Sequence, residues 1–315
     1  MKNENSLLMG AHRGIKSHGG SGKTKKNHFN EAKRFVSTLH QLGFGVRKWE
    51  NVSMKHVAAV VGHWLNIDGL TAATVKEYLS AVRICCSHFG NSRVAESRNE
   101  EFGIPNRTYV TNSDKSLPEN VFREVVHTLR NGSLNEQRLA AQLMLQRSLG
   151  LRFEESCKLN PERAVLSDGR VLISEGTKGG RDRILSSVPE VSRKALVFAR
   201  DCISPRGSTM DPAMSEAQWR KFAYATLAKQ GISRSTSGAS MHGNRHAYAQ
   251  GRYECITGFL PPCKFPSKVE FRSNAERVAG KAWSKLDRDA RLIIKSELGH
   301  GPDRDSVVSQ YLGSK

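Results

Sequence analysis

Helical periodicity runs through most of this chain but fails once over a long stretch, and that failure limits the folds open to it. From Asn27, apolar residues recur at steps of three and four (Phe29, Ala32, Phe35, Val36, Leu39, Leu42) before Gly43 and Gly45. Ser53 stands where an N-cap would open a second helix carrying Val57, Val60, Val61, Trp64 and Leu65. Thr71 does the same for a third, with Val75, Tyr78, Leu79, Val82 and Phe89 inward. Between residues 90 and 116 the period dissolves into NSR, SRNEE, GIPNRT and TNSDKS. A chain of 315 residues suits about two domains. The pattern therefore predicts a helical domain over 27–90, a linker over 91–116 and a second domain over 117–315.

The second part mixes short extended pieces with its helices. Ser116 is placed to cap a helix with Pro118 in its first turn. Another helix spans about 135–149, burying Leu139, Leu143, Met144 and Leu145, and stops at Gly150. Three β-prone pieces follow over 164–166, 170–174 and 183–188, parted by the turn sequences SDG and GTKGGRD. Helices return over 190–202, 215–230 and from Met241 onward. After the proline-rich GFLPPCKFP they resume over 274–298, with a last turn or two over 304–312. The fold class expected is mainly α with a small antiparallel β-sheet, and no internal repeat is present.

Charge narrows the partners. Lys+Arg 49 against Asp+Glu 30, a formal net charge of +19 and a pI near 9.9 call for a polyanion, nucleic acid first. Residues 1–26, polar and glycine-rich, read as a basic disordered arm in which Lys23, Lys25 and Lys26 could track DNA phosphates; an idle terminus fits equally well. Lys76 and Arg83, off the apolar face of the third helix, are further DNA-binding candidates. Gly22, Lys23 and Thr24 resemble the end of a phosphate loop, but that pattern needs a glycine where Ser17 stands and a strand before it. No apolar run approaches the ~20 residues of a spanning helix, and no signal-like leader is present. A cytoplasmic, nucleoid-associated protein without a membrane partner is expected. Cysteines 85, 86, 157, 202, 255 and 263 lack any pairing framework and read as reduced thiols. Cys255 and Cys263 fit none of the usual zinc spacings.

The chemistry centres on MHGNRHAYAQ, residues 241–250. On a helix His242 and Arg245, three apart, face the same ligand with His246 beside them. A planar guanidinium fork next to an imidazole titrating near working pH suits a phosphate, although such a pair is more commonly a solvated helix face. Other segments supply what phosphoryl transfer would still need. Arg152 and Glu155 in LGLRFEE stand three apart, so the carboxylate can orient the guanidinium. Lys178 sits in the turn TKGGRDR, where glycines allow close backbone approach. His300 lies in ELGHG and Tyr311 in VVSQYLGSK. Each alone has an ordinary explanation: a surface ion pair, a turn lysine, a capping histidine, a core tyrosine.

The order Arg152, Lys178, His242, Arg245, His300, Tyr311 resembles that of the tyrosine recombinase, or phage-type integrase, family, and the resemblance covers 117 to the end. It implies a DNA breaking-rejoining catalytic domain over 117–315, a core-binding DNA clamp over 27–90, and a site-specific recombinase that integrates or excises a mobile genetic element. Tyr311 would attack a phosphodiester to give a 3′-phosphotyrosyl bond. Arg152, Arg245 and His300 would hold the phosphate oxygens, Lys178 would protonate the leaving 5′-oxygen, and His242 would manage the tyrosine proton. Glu155 and His246 would orient these groups. The resemblance implies no metal and no cofactor. It implies double-stranded attachment-site DNA as substrate, a homotetramer on synapsed DNA with a monomer or dimer when free, and an accessory DNA-bending or directionality factor. Residues 251–285 form a longer insertion than relatives carry, expected as a loop or an added contact, and few residues follow Tyr311 to pass to a neighbouring subunit. A topoisomerase or dimer resolvase shares the chemistry. An inactive DNA-binding regulator would have no need of the full residue set.

Overall fold

The computed structural model describes residues 2–106, 110, 112–186, 188–233, 235–301 and 305–314. The chain divides into two units, 1–108 and 109–315. In the first, helices α1 (Lys2–Ser17), α2 (Gly22–Gln41), α3 (Met54–Asn66), α4 (Ala72–His88) and the short α5 (Ser92–Ala95) surround one core. Ser21, Ser53 and Thr71 cap α2, α3 and α4 by accepting from the backbone N–H three residues on. Two indoles anchor the core: Trp49 Nε1 donates to the Leu7 carbonyl at 2.9 Å and Trp64 Nε1 to Thr38 Oγ1 at 3.0 Å.

The N-terminal stretch is not the disordered arm expected over 1–26. It forms α1 and the first turn of α2, because Leu7, Ala11 and Ile15 stand four apart and all three are buried in the core with Phe35, Trp49 and Val82. The polar residues between them concealed that stripe. Much of the expected linker also belongs to this unit, since Val94, Phe102 and Ile104 are buried in the same core. The Asn91 side chain ties the start of that stretch back to the Trp49 and Val52 carbonyls at 2.9 and 2.7 Å. Residues 107–109 and 111 lie outside the described residues.

The second unit comprises α6 (Glu119–Arg130), α7 (Leu134–Leu149), α8 (Phe153–Lys158), α9 (Pro161–Ala164), β1 (Val171–Ile173), β2 (Arg183–Leu185), α10 (Glu190–Asp201), α11 (Glu216–Lys229), α12 (Gly243–Thr257), α13 (Lys268–Ala279), α14 (Trp283–Glu297) and α15 (Ser309–Leu312). Helix α7 is its axis. Ala141, Leu145 and Leu149 pack towards β1, β2 and α10, while Leu139, Ala140 and Leu143 pack towards α6 and α11. The strands pair antiparallel with Leu172 opposite Ile184. The first β-prone piece shrinks to a single bridge from Val165 to Val171, because α9 has taken the residues before it. Pro118, not Ser116, stands at the N-cap of α6.

The insertion 251–285 is not a loop. It carries the end of α12, all of α13 and the start of α14, and it buries Phe259, Phe271 and Ala275 with Ile294, Val308, Tyr311 and Leu312. The single helix expected over 274–298 is two, divided at Gly280, whose φ of +56° a side chain would resist. The small fourth core that results supports α15.

If α1 is part of the first core, Leu7→Ala should cost about 2–5 kcal/mol of that unit's stability. Urea unfolding followed by Trp fluorescence would check this, and an unchanged midpoint would return α1 to an idle arm.

Candidate active site

The site is built on a buried carboxylate. Glu155, fully buried, occupies the first turn of α8 and reaches back to accept from the Arg152 backbone N–H at 2.7 Å. Its two oxygens then take Arg152 Nη1 at 2.6 Å and both terminal nitrogens of Arg183 at 3.0 and 2.8 Å, with Arg245 Nη1 at 3.7 Å. Burial pushes this carboxyl up, but the hydrogen bonds and charge of Arg183 and Arg152 outweigh it and hold Glu155 at about 2. One carboxylate among three guanidiniums leaves surplus positive charge at the site.

Arg245, on the first turn of α12, is fully buried, and burial lowers its pKa from the usual arginine value. Its Nη1 donates to the Gly150 carbonyl and its Nη2 to that of Leu298. Gly150 ends α7 at φ +64°, and a Cβ there would stand 2.5 Å from the Tyr248 ring, so glycine is required twice over. The remaining edge of the fork, Nε, donates to the Tyr311 hydroxyl at 3.3 Å. Arg152 Nη2 shares the Leu298 carbonyl at 3.3 Å, which brings both arginines to the end of α14.

Three imidazoles surround the Tyr311 ring: His246 at 4.7 Å, His242 at 5.8 Å and His300 at 5.8 Å between centroids. His242 is exposed at the N-terminus of α12 and His300 half-buried beyond α14, while Tyr311 is only 7% exposed. His246 is buried and its pKa falls to about 4, through burial first and then the charges of His242 and Lys115, against which the charge of Asp114 and then a hydrogen bond to the Tyr311 backbone pull upward. A cavity of about 820 Å³ opens beside His242 and His246, lined also by Lys115, Tyr224 and Met241.

Arg152, Glu155, His242, Arg245, His246, His300 and Tyr311 are thus gathered at one place. Lys178 is not: it stands exposed on the turn between β1 and β2, outside the network just described. Sequence reading passed over Arg183, which lies in β2, is 7% exposed, and donates through Nε to the Glu297 carbonyl at 2.7 Å. Flanked by Asp182 and Ile184 in a short strand, it carries no sequence signal that separates it from a solvated arginine. Glu297 was missed as well. It accepts from Tyr248 and Arg252, and so fastens α12 to α14 behind Arg245. Among the described residues no group of three or more His, Cys, Asp or Glu is placed to hold a metal ion.

The DNA-binding candidates are in the first unit. Lys23 and Lys26 are exposed on α2, while Lys25 Nζ caps the Lys16 carbonyl at 2.8 Å. Lys76 and Arg83 share one stripe of α4 with Ser80 and Ser87 at helical spacing, and Arg83 is braced by Asn99 Oδ1 at 3.1 Å. No described helix is long and apolar enough to cross a membrane.

His246 yields a signed pH dependence. Between 6.5 and about 4 the unfolded chain takes up a proton that the folded chain excludes, so stability falls as pH falls through that window. Glu155 adds its own loss below, from the unfolded carboxylate value of about 4.3 towards 2. Urea unfolding across pH should show His246→Gln flattening the upper window only; a slope identical to the native one would refute the buried neutral imidazole. Glu155→Gln should cost about 3–5 kcal/mol at neutral pH by stranding buried guanidiniums.

The sequence matches the family model for the N-terminal region of phage integrase over residues 10–95 and that for integrase over 106–251, together well over half of the chain. No curated protein matches it. Among solved structures, the Tn1549 transposon integrase in complex with transposon right end DNA aligns with a TM-score of 0.61 at 11% identity, covering 98% of this chain and 95% of that one. The XerH site-specific recombinase bound to difH substrate aligns with a TM-score of 0.59 at 14% identity, covering 100% and 94%. At such identities these structures speak for the fold, and the family models speak for descent. The chain belongs to the phage integrase family of site-specific tyrosine recombinases.

Proposed function

We propose that this chain is the integrase of a mobile genetic element, cutting and rejoining attachment-site DNA through a bond between Tyr311 and the 3′-phosphate. The observation that carries this reading is the Tyr311 hydroxyl against Arg245 Nε at 3.3 Å, inside a cluster with net positive charge. A phosphodiester seated on that cluster would put phosphorus within reach of the phenol. Arg152 and Arg245 would neutralise the charge growing on the non-bridging oxygens, and their guanidiniums are already fixed by Glu155, Gly150 and Leu298, so little reorganisation is required.

In the first step the phenolic oxygen bonds to phosphorus, the bond to the 5′-oxygen breaks, and the phenol proton passes to His242, the exposed imidazole of the three. Lys178, on its exposed turn, would have to approach with the DNA to protonate the 5′-oxygen. His300 would hydrogen-bond a phosphate oxygen, and His246, neutral in its buried seat, would orient Tyr311. Attack by a 5′-hydroxyl from another duplex reverses the sequence and restores the phenol, so the covalent link conserves the energy of the broken bond. The first unit would act as the DNA clamp, with Lys23, Lys25, Lys26, Lys76 and Arg83 on the duplex, and a homotetramer would hold two synapsed sites. An accessory DNA-bending or directionality factor would bias integration against excision, and the chain would work on DNA in the cytoplasm.

The test is covalent capture. Purified protein mixed with fragmented DNA should retain a covalently attached strand whose sequence names the site. Tyr311→Phe should abolish that attachment while leaving DNA affinity within about twofold, and persistence of the adduct would reject Tyr311. Arg245→Ala should lower the cleavage rate by about 10²–10³, and native-rate cleavage would remove Arg245 from the chemistry.

A further inference from the structure

The segment that carries Tyr311 is fastened from two sides, both within the second unit. The Tyr311 carbonyl accepts from Gln250 Nε2 of α12 at 3.4 Å and from Cys263 Sγ at 3.6 Å. Gly313, at φ +80°, passes so close that a Cβ would stand 2.9 Å from the Cys263 nitrogen and 3.0 Å from Asn112 Oδ1. One residue further on, the Asn112 amide pairs with the Ser314 backbone as a strand neighbour would, accepting from its N–H at 2.8 Å and donating to its carbonyl at 3.4 Å. The two holders are joined in turn. Lys264 Nζ meets Asp114 Oδ2 at 2.6 Å, and Gln250 Nε2 meets Asp114 Oδ1 at 2.8 Å.

Helix α15 has four residues and no local means of staying folded, so its place depends on these contacts and on the core beneath it. Asp114 and Lys264 are each about one-third exposed, which keeps their pair weak enough to open. We propose that Asn112, Asp114 and Lys264 are positioning residues that lock the Tyr311 segment onto Arg245 of the same chain, so that the phenol is held aligned for reaction. The proposal rests on the reading of Tyr311 as nucleophile. It gives the insertion a task in that chemistry, because Cys263 and Lys264 both come from it.

The first arm of the test needs no DNA. Tetranitromethane should nitrate Tyr311 slowly in the native chain, and about tenfold faster in Lys264→Met and Asn112→Ala, the change in open population that losing ~1.4 kcal/mol gives. Lys264→Arg should behave as native, and unchanged circular dichroism would show that the variants are folded. Equal nitration in all of them would overturn the lock. In the second arm, a nicked duplex carrying the captured site should be cleaved roughly 10–100-fold more slowly by the two lock variants at saturating DNA, since small misplacements of a reacting group cost that much. Faster nitration with native cleavage would overturn positioning. An adduct that survives Tyr311→Phe would instead bring down the nucleophile assignment and leave the nitration result intact.

Discussion

A single carboxylate sets the geometry of this molecule's functional half. Glu155 takes hydrogen bonds from a guanidinium on its own turn and another on a strand, and lies 3.7 Å from a third on a distant helix. The residue could not stay charged while wholly buried without them, since an unpaired buried anion is costly enough to take up a proton. Arg245 faces the same constraint from the opposite sign, and it is met by Gly150 and Leu298 carbonyls at the ends of two helices. Carbonyls at helix C-termini are unpaired within their own helix, so they are natural acceptors for a buried cation. The electrostatic site and the helix ends thus solve each other's problem.

Rigidity at that centre contrasts with the manner in which Tyr311 is held. The arginines are fixed by buried charge, whereas the tyrosine rides on a four-residue helix resting against a largely aromatic core and held by neutral hydrogen bonds, braced behind by the partly exposed pair of Asp114 and Lys264. Under the proposed chemistry the fixed guanidiniums would hold the phosphate and Tyr311 would be the group brought to it. The division of labour is physical: buried ion pairs resist rearrangement, and half-exposed ones exchange with water.

The residues written into that centre were readable because each carries its chemistry in its side-chain type and its spacing. The His242, Arg245, His246 run, the Arg152 and Glu155 pair, and a tyrosine near residue 311 could be lined up along the chain. Arg183 could not, because a lone arginine in a short strand looks like any solvated residue until the fold turns it inward. Lys178 was read from a turn sequence, and in the free chain it remains on that turn, exposed. Helix α1 is hard to read for a related reason: a polar composition obscures three buried positions whose partners lie on other helices.

By itself the sequence determined most of the helical periods, several capping residues, and the identity and order of the candidate site residues, all of which are written in side-chain type and spacing along the chain. Only the tertiary structure decided that residues 251–285 make a wall rather than a loop, that Arg183 shares Glu155, and that Tyr311 meets Arg245. Those outcomes depend on contacts between segments tens to more than a hundred residues apart, and burial, which sets the energy of every charge among them, is a property of the assembled chain alone.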